Sequence, residues 1–193
     1  MYLKGLKYTN LILSFIVFFL GMYITLMPVI PEIKFSVTKA KADEYVYPTK
    51  LAPIGFIPEK GLPKENRLVI PQIGVDGEIN EGDREALDLG LWHRPGTSNP
   101  VIGGNTVIVA HRFLYSSGPI TFYHLDKMKI GDEFSIYWEG EEYVYKVFDI
   151  FEVNPDQIEI EEDTVNNIVT LYTCTPLYTA DKRLVVRAEL VNE

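Results

Sequence analysis

Residues 168–190 read IVTLYTCTPLYTADKRLVVRAEL. The run Ile168 to Thr173 is apolar and β-branched, which is the composition of a strand. Pro176 has no amide proton and cannot continue a central strand. Cys174 therefore falls at a strand end, where a side chain can reach a groove. The last stretch alternates: Leu184, Val186, Ala188 and Leu190 make one apolar face, while Arg183, Val185, Arg187 and Glu189 point the other way, off the packed side. A short link joins the two strands. If they pair as neighbours, Cys174 at the end of one lies near Arg183 at the start of the next.

The same strand composition recurs upstream, over 68–70, 77–80, 106–110, 133–138 and 141–151. Turn signals separate the runs: Asn99-Pro100, Gly103-Gly104, Gly131-Asp132 and Glu139-Gly140. The stretch Trp138-Glu139-Gly140-Glu141 reads as a tight hairpin. Residues 84–91 and 121–128 read as short helices, and His124 lies in the second. So many strands in one small region, residues 67–193, fit a mainly β domain that is either a closed β-barrel or a sandwich.

The N-terminus differs. Tyr8 to Pro31 carries no formal charge, and Lys4 and Lys7 precede it. At about 1.5 Å per helical residue, the segment from Leu11 to Ile30 reaches roughly the 30 Å of a bilayer core. It shows no polar stripe of the kind a buried core helix carries. The run exceeds a signal-peptide core, and the small-x-small sequence Ala40-Lys41-Ala42 lies well past it, so an uncleaved transmembrane signal anchor over 8–31 is expected, with 1–7 as a tail. Lys34, Lys39 and Lys41 follow the run closely, so lysine bias does not set its orientation. Residues 32–66, with Pro48, Pro53, Pro58 and Pro63, read as a Pro-rich stalk. It is either an extended spacer or a segment that folds back through Ile54, Phe56 and Ile57.

Composition narrows the chemistry. The chain of 193 residues has 18 Lys and Arg against 27 Asp and Glu, a net charge of −9, which disfavours a nucleic-acid partner. One cysteine excludes an intrachain disulfide and a multi-cysteine zinc site. A nucleophilic thiol needs an imidazole or another cation to hold it as thiolate. His111 follows the strand at 106–110, again at a strand end. His93 falls in a loop before that strand, and a structural role suits His124. Acyl transfer also needs a donor where an oxyanion develops. Arg183 and Arg187 are the candidates. Glu159, Glu161, Glu162 and Asp163 are oxygen groups of the sort calcium takes, but such a loop is ordinarily solvated, and neither metal nor cofactor is expected.

These elements together resemble a family. Thr170-Leu171-Tyr172-Thr173-Cys174 resembles the TLxTC signature of sortases, membrane-anchored cysteine transpeptidases. Asn105 to Arg112, NTVIVAHR, resembles the family's strand ending in the catalytic histidine, and Lys182 to Leu190, KRLVVRAEL, the strand opening with the catalytic arginine. The likeness runs from about Arg67 to the C-terminus. Ala110 stands where many members have glycine. The short link after the cysteine leans toward housekeeping or pilin-type subclasses, and no Asp-Pro-aromatic lid motif appears in the stalk. The resemblance implies a closed, mostly antiparallel barrel with its site in a groove at one end. It implies Cys174, His111 and Arg183 as catalytic residues, with Thr173 and Thr175 beside the substrate. It implies surface proteins with an LPxTG-like sorting signal as substrates, an amine from a cell-wall precursor or a pilin lysine as acceptor, and an extracytoplasmic domain. A hydrolytic cysteine peptidase and a non-catalytic membrane-tethered β-module are the competing readings.

Overall fold

The computed structural model describes residues 2–33, 35–36, 63–113 and 118–191. Most of the expected stalk, 37–62, including Ile54, Phe56 and Ile57, lies outside the described residues.

Helix α1 spans Tyr2–Leu26. It starts before the uncharged run, so the residues expected as a tail form its first turns. Its stretch Tyr8–Leu26 is long and apolar enough to cross a membrane, and none of it is buried against the protein. Large apolar side chains left in water are costly, and this helix is a candidate membrane span by length and composition. A 3-10 turn, Met27–Val29, follows with Pro28 near its start, and residues 30–33 are again helical. This short continuation touches the globular domain. The Phe35 ring lies 4.2 Å from the His124 ring, and Glu32 stands 3.9 Å from both His124 and Lys127.

Eight strands follow: β1 Arg67–Ile70, β2 Val75–Asn80, β3 Leu91–His93, β4 Asn105–Val109, β5 Glu133–Trp138, β6 Glu141–Val153, β7 Ile168–Thr175 and β8 Lys182–Leu190. They close into a barrel in the order β1-β2-β3-β4-β7-β8-β6-β5, sealed by β5 pairing β1. The sandwich alternative is thereby excluded. Two pairs are parallel, β2 with β3 and β4 with β7; the rest are antiparallel. The hairpin at Glu139-Gly140 has positive φ at both residues, the backbone that matches the twist of its strands. Strand β6 pairs β5 with its first half and β8 mainly with its second, and the β6–β8 ladder carries a register shift between Val147 and Asp149.

Three expectations are corrected. Residues 84–91 are not a helix but a 3-10 turn, Arg84–Leu89, followed at Gly90 by β3. His93 consequently sits in a strand and not a loop. Its ring bonds Glu81 and the Ser98 carbonyl and packs edge-on to Trp138. In the second expected helix, only Leu125–Lys127 is helical, and it too is 3-10.

The barrel interior holds Leu68, Ile70, Leu91, Ile108, Phe134, Ile136, Tyr145, Leu171 and Val186, with Phe122 and Leu125 inserted from the segment after β4. Ile120, just before that insertion, packs against β2. A Cβ on Gly77 would meet its Cγ2 at 2.6 Å, so any side chain here would have to displace Ile120.

Candidate active site

Strand β7 lies between β4 and β8. Val169 and Leu171 enter the main core, so alternation sends Thr170, Tyr172 and Cys174 to the outer wall of the barrel. The neighbours obey the same parity. Ile108 and Ala110 face inward beside β7, and Val107 and Val109 outward; Leu184 and Val186 face inward on β8, and Val185 outward. His111 and Arg183 therefore also lie on the outer wall.

Register relates the three positions. Cys174 is the direct cross-strand partner of Arg183. On the other side Val109 pairs Tyr172, and His111 and Cys174 are the residues two further along their segments. The β4 ladder ends at Val109, yet the two chains stay together: Thr173 Oγ1 donates to the Ala110 carbonyl at 2.7 Å. With neighbouring strands about 4.8 Å apart, Cys174 and Arg183 stand at paired backbone positions, and His111 follows two residues after the last β4 pair. Cys174 is only partly buried, hence accessible.

Arg183 Nη1 donates to the carbonyls of Lys182 and Ala180, which tethers the guanidinium to the link after Cys174. Arg187 pairs Thr170 instead, two steps from the thiol. It stacks over Phe151 at 5.4 Å and donates to the Ile160 carbonyl. The outer face of β8 is thus only partly open to solvent, with Val185 buried, Arg183 and Arg187 half-buried and Glu189 exposed. Residues 154–167 cover part of it, and Val185 is fully buried against Val153 and Ile160.

Thr173 and Thr175 share the inward parity. Their side chains are buried, and Thr175 Oγ1 accepts from Arg112 Nη1 at 3.2 Å. These hydroxyls tie the strand end to the segment that carries His111. Arg112 completes the tie: Nε donates to the Tyr123 carbonyl at 3.0 Å and Nη2 pairs with Asp126 at 2.8 Å. The sequence offered Arg112 only as the neighbour of His111.

A second group lies on the same outer face of β7. Arg94 holds Glu161 with Nε and Nη2 at 2.8–3.0 Å, and lies 4.8 Å over the Trp92 ring. The Tyr172 hydroxyl donates to Glu161 at 2.5 Å. Burial, then this bond to a carboxylate, raises the Tyr172 phenol above its usual range. Tyr172 lies two residues before Cys174 on the same face, so the network anchors the 154–167 segment beside the thiol. Two of the acidic residues there are thereby engaged internally: Glu161 as described, and Asp163 by the amides of Asn105 and Thr164. Among the described residues, no group of His, Cys, Asp or Glu is arranged to hold a metal.

The family model described as a sortase domain matches residues 68–191. The chain belongs to the sortase family. A sortase A of Bacillus anthracis is 35% identical over 127 residues, which are 65% of this chain and 59% of that protein. This sortase thus spans less than two thirds of the length of that relative. Among solved structures, sortase C-1 from Actinomyces oris is 30% identical with a TM-score of 0.60, covering 83% of this chain and 99% of that one. A sortase D5 transpeptidase of Clostridium perfringens is 26% identical with a TM-score of 0.59, covering 84% and 99%.

Proposed function

We propose that this sortase is a cysteine transpeptidase that cleaves an LPxTG-like sorting signal and transfers the acyl part to an amine. The observation that supports the reading is the register that pairs Cys174 with Arg183 and Tyr172 with Val109, two residues before His111, with Thr173 bonded to Ala110 between them. The Cys174 thiolate attacks the Thr–Gly carbonyl, and an S–C bond forms. Arg183 donates hydrogen bonds to the oxygen as charge develops there, assisted by the backbone N–H of Thr175. The C–N bond breaks, and His111 gives its proton to the leaving amine. A second amine then attacks the thioester, loses a proton to His111, and expels Cys174 as thiolate. No metal or cofactor enters these steps.

Thr173 and Thr175 serve the substrate through their backbone, since their hydroxyls are committed to Ala110 and Arg112. Residues 8–31 span the membrane as an uncleaved anchor, with 1–7 cytoplasmic and 32–66 as the stalk. The catalytic domain, 67–193, is then extracytoplasmic, where surface proteins bearing sorting signals meet a cell-wall precursor or a pilin lysine. The assay incubates the full chain with a sorting-signal peptide and a primary amine, and reads products by mass spectrometry. Amide product that depends on Cys174 supports transfer. Free acid alone, unchanged by added amine, would identify a hydrolase instead.

A further inference from the structure

We infer that Asp88 is a positioning residue for His111; this rests on the role proposed for His111. Asp88 Oδ1 stands 3.2 Å from His111 Nε2. The placement is built by packing. The 3-10 turn Arg84–Leu89 sets Ala86 and Leu87 against Trp92, Val107 and Val109, the outward row that leads to His111. The Trp92 indole donates to the Gly82 carbonyl at 3.0 Å, and the Ala86 amide to the Asp83 carbonyl at 2.9 Å. Asp88 is the next residue after this anchored pair. Its own side chain is 82% exposed, so burial gives it no structural reason to stand there.

The contact has a chemical consequence. A carboxylate accepts from Nε2–H and favours the tautomer that leaves Nδ1 with the lone pair. Nδ1 is then the nitrogen that takes and returns the proton shared with the thiol and the amine. Phe113, whose ring centroid is 4.9 Å from that of His111, limits the imidazole on another side. The ring cycles between its neutral and protonated forms during each half-reaction. An exposed pair is a modest contributor, so the effect falls on rate and not on folding.

The test compares Asp88→Asn, Asp88→Glu and His111→Ala in the full chain, in detergent micelles. We expect Asp88→Asn to lower kcat about fivefold, the upper end for an exposed ion pair, with KM unchanged. Asp88→Glu should recover at least half of the loss. Long-range proton–nitrogen spectra of the histidine rings should show Nε2–H at His111 in the parent and a mixed tautomer in Asp88→Asn. A kcat for Asp88→Asn within about 1.5-fold of the parent, or a fall matched by Asp88→Glu, overturns the inference. So does an unchanged tautomer. An active His111→Ala variant would instead remove the reading of His111 itself, so the two failures are distinct.

Discussion

Replacing Thr173 by valine removes one hydroxyl and keeps nearly the same shape. That hydroxyl donates to the Ala110 carbonyl at 2.7 Å, where the β4 ladder has already stopped. Thr173 is 1% exposed and Ala110 2%, so water cannot replace the lost donor. A typical intramolecular hydrogen bond contributes about 0.5–1.5 kcal/mol, and leaving a buried acceptor without it costs about 1–3 kcal/mol. We expect Thr173→Val to lose about 1–2 kcal/mol in urea denaturation, with the slope unchanged. In a domain of this size that is a fall in Tm of very roughly 3–10 °C. The same bond holds the chain leading to His111 beside Cys174, so kcat should drop with stability while KM stays near the parent value. Thr173→Ser keeps the donor and should recover most of both. A Thr173→Val protein as stable and as fast as the parent would refute the idea that this bond joins the two halves of the site. A rise in KM alone would mean that the hydroxyl reaches substrate.

Arg183→Ala should reduce kcat about 100-fold or more, the usual effect of losing one oxyanion donor. Arg187→Ala should instead cost stability through its packing on Phe151, with little change in kcat; equal rates for Arg183→Ala and the parent would reject the assignment. Arg94→Ala leaves the Glu161 carboxylate with Tyr172 alone, and should cost about 1.5–3 kcal/mol. Hydrogen exchange at residues 158–161 should accelerate in this variant, and unchanged protection there would count against the network. Burial lowers the His124 pKa below its usual value, although Glu32 and Asp126 pull the other way. The unfolded chain therefore binds a proton that the folded one resists. This stability is present above about pH 6.5 and is lost as pH falls through the lower folded-state value. Thermal melts between pH 7.5 and 5 should show a decline that His124→Phe reduces, and identical slopes in both proteins would contradict the assignment.

The strands that surfaced in the sequence were those with β-branched alternation, and their bounds differ from the structure by a residue or two. Residues 133–138 coincide. Leu91–His93 did not surface because three residues carry no period, and Gly90 and Pro95 on either side read as loop. The turn at Arg84–Leu89 has helix-forming residues, and only its length and the Gly90 backbone decide against an α-helix. Barrel closure rests on β1 meeting β5, far apart in the chain, and no local pattern reports that pairing. Cys174, His111 and Arg183 were proposed from the sequence because each falls near a strand end in a recognisable stretch. The parallel register of β4 and β7, which brings the segment before His111 alongside the cysteine strand, left no local pattern. The shielding of Arg187 depends on where residues 154–167 fold, which alternation within β8 cannot express. Asp88 and Arg112 left no signal: the first is one of two acids in a short amphipathic turn, the second a basic residue whose partners come from other segments.

The most direct measurement is the mass of the intact protein after brief mixing with a sorting-signal peptide in the absence of amine. We predict an added mass equal to the peptide's acyl portion, mapped to Cys174, released on adding a primary amine as the new amide, and missing in Cys174→Ala. Turnover of the peptide with no mass on Cys174, or at an undiminished rate in Cys174→Ala, would contradict the account.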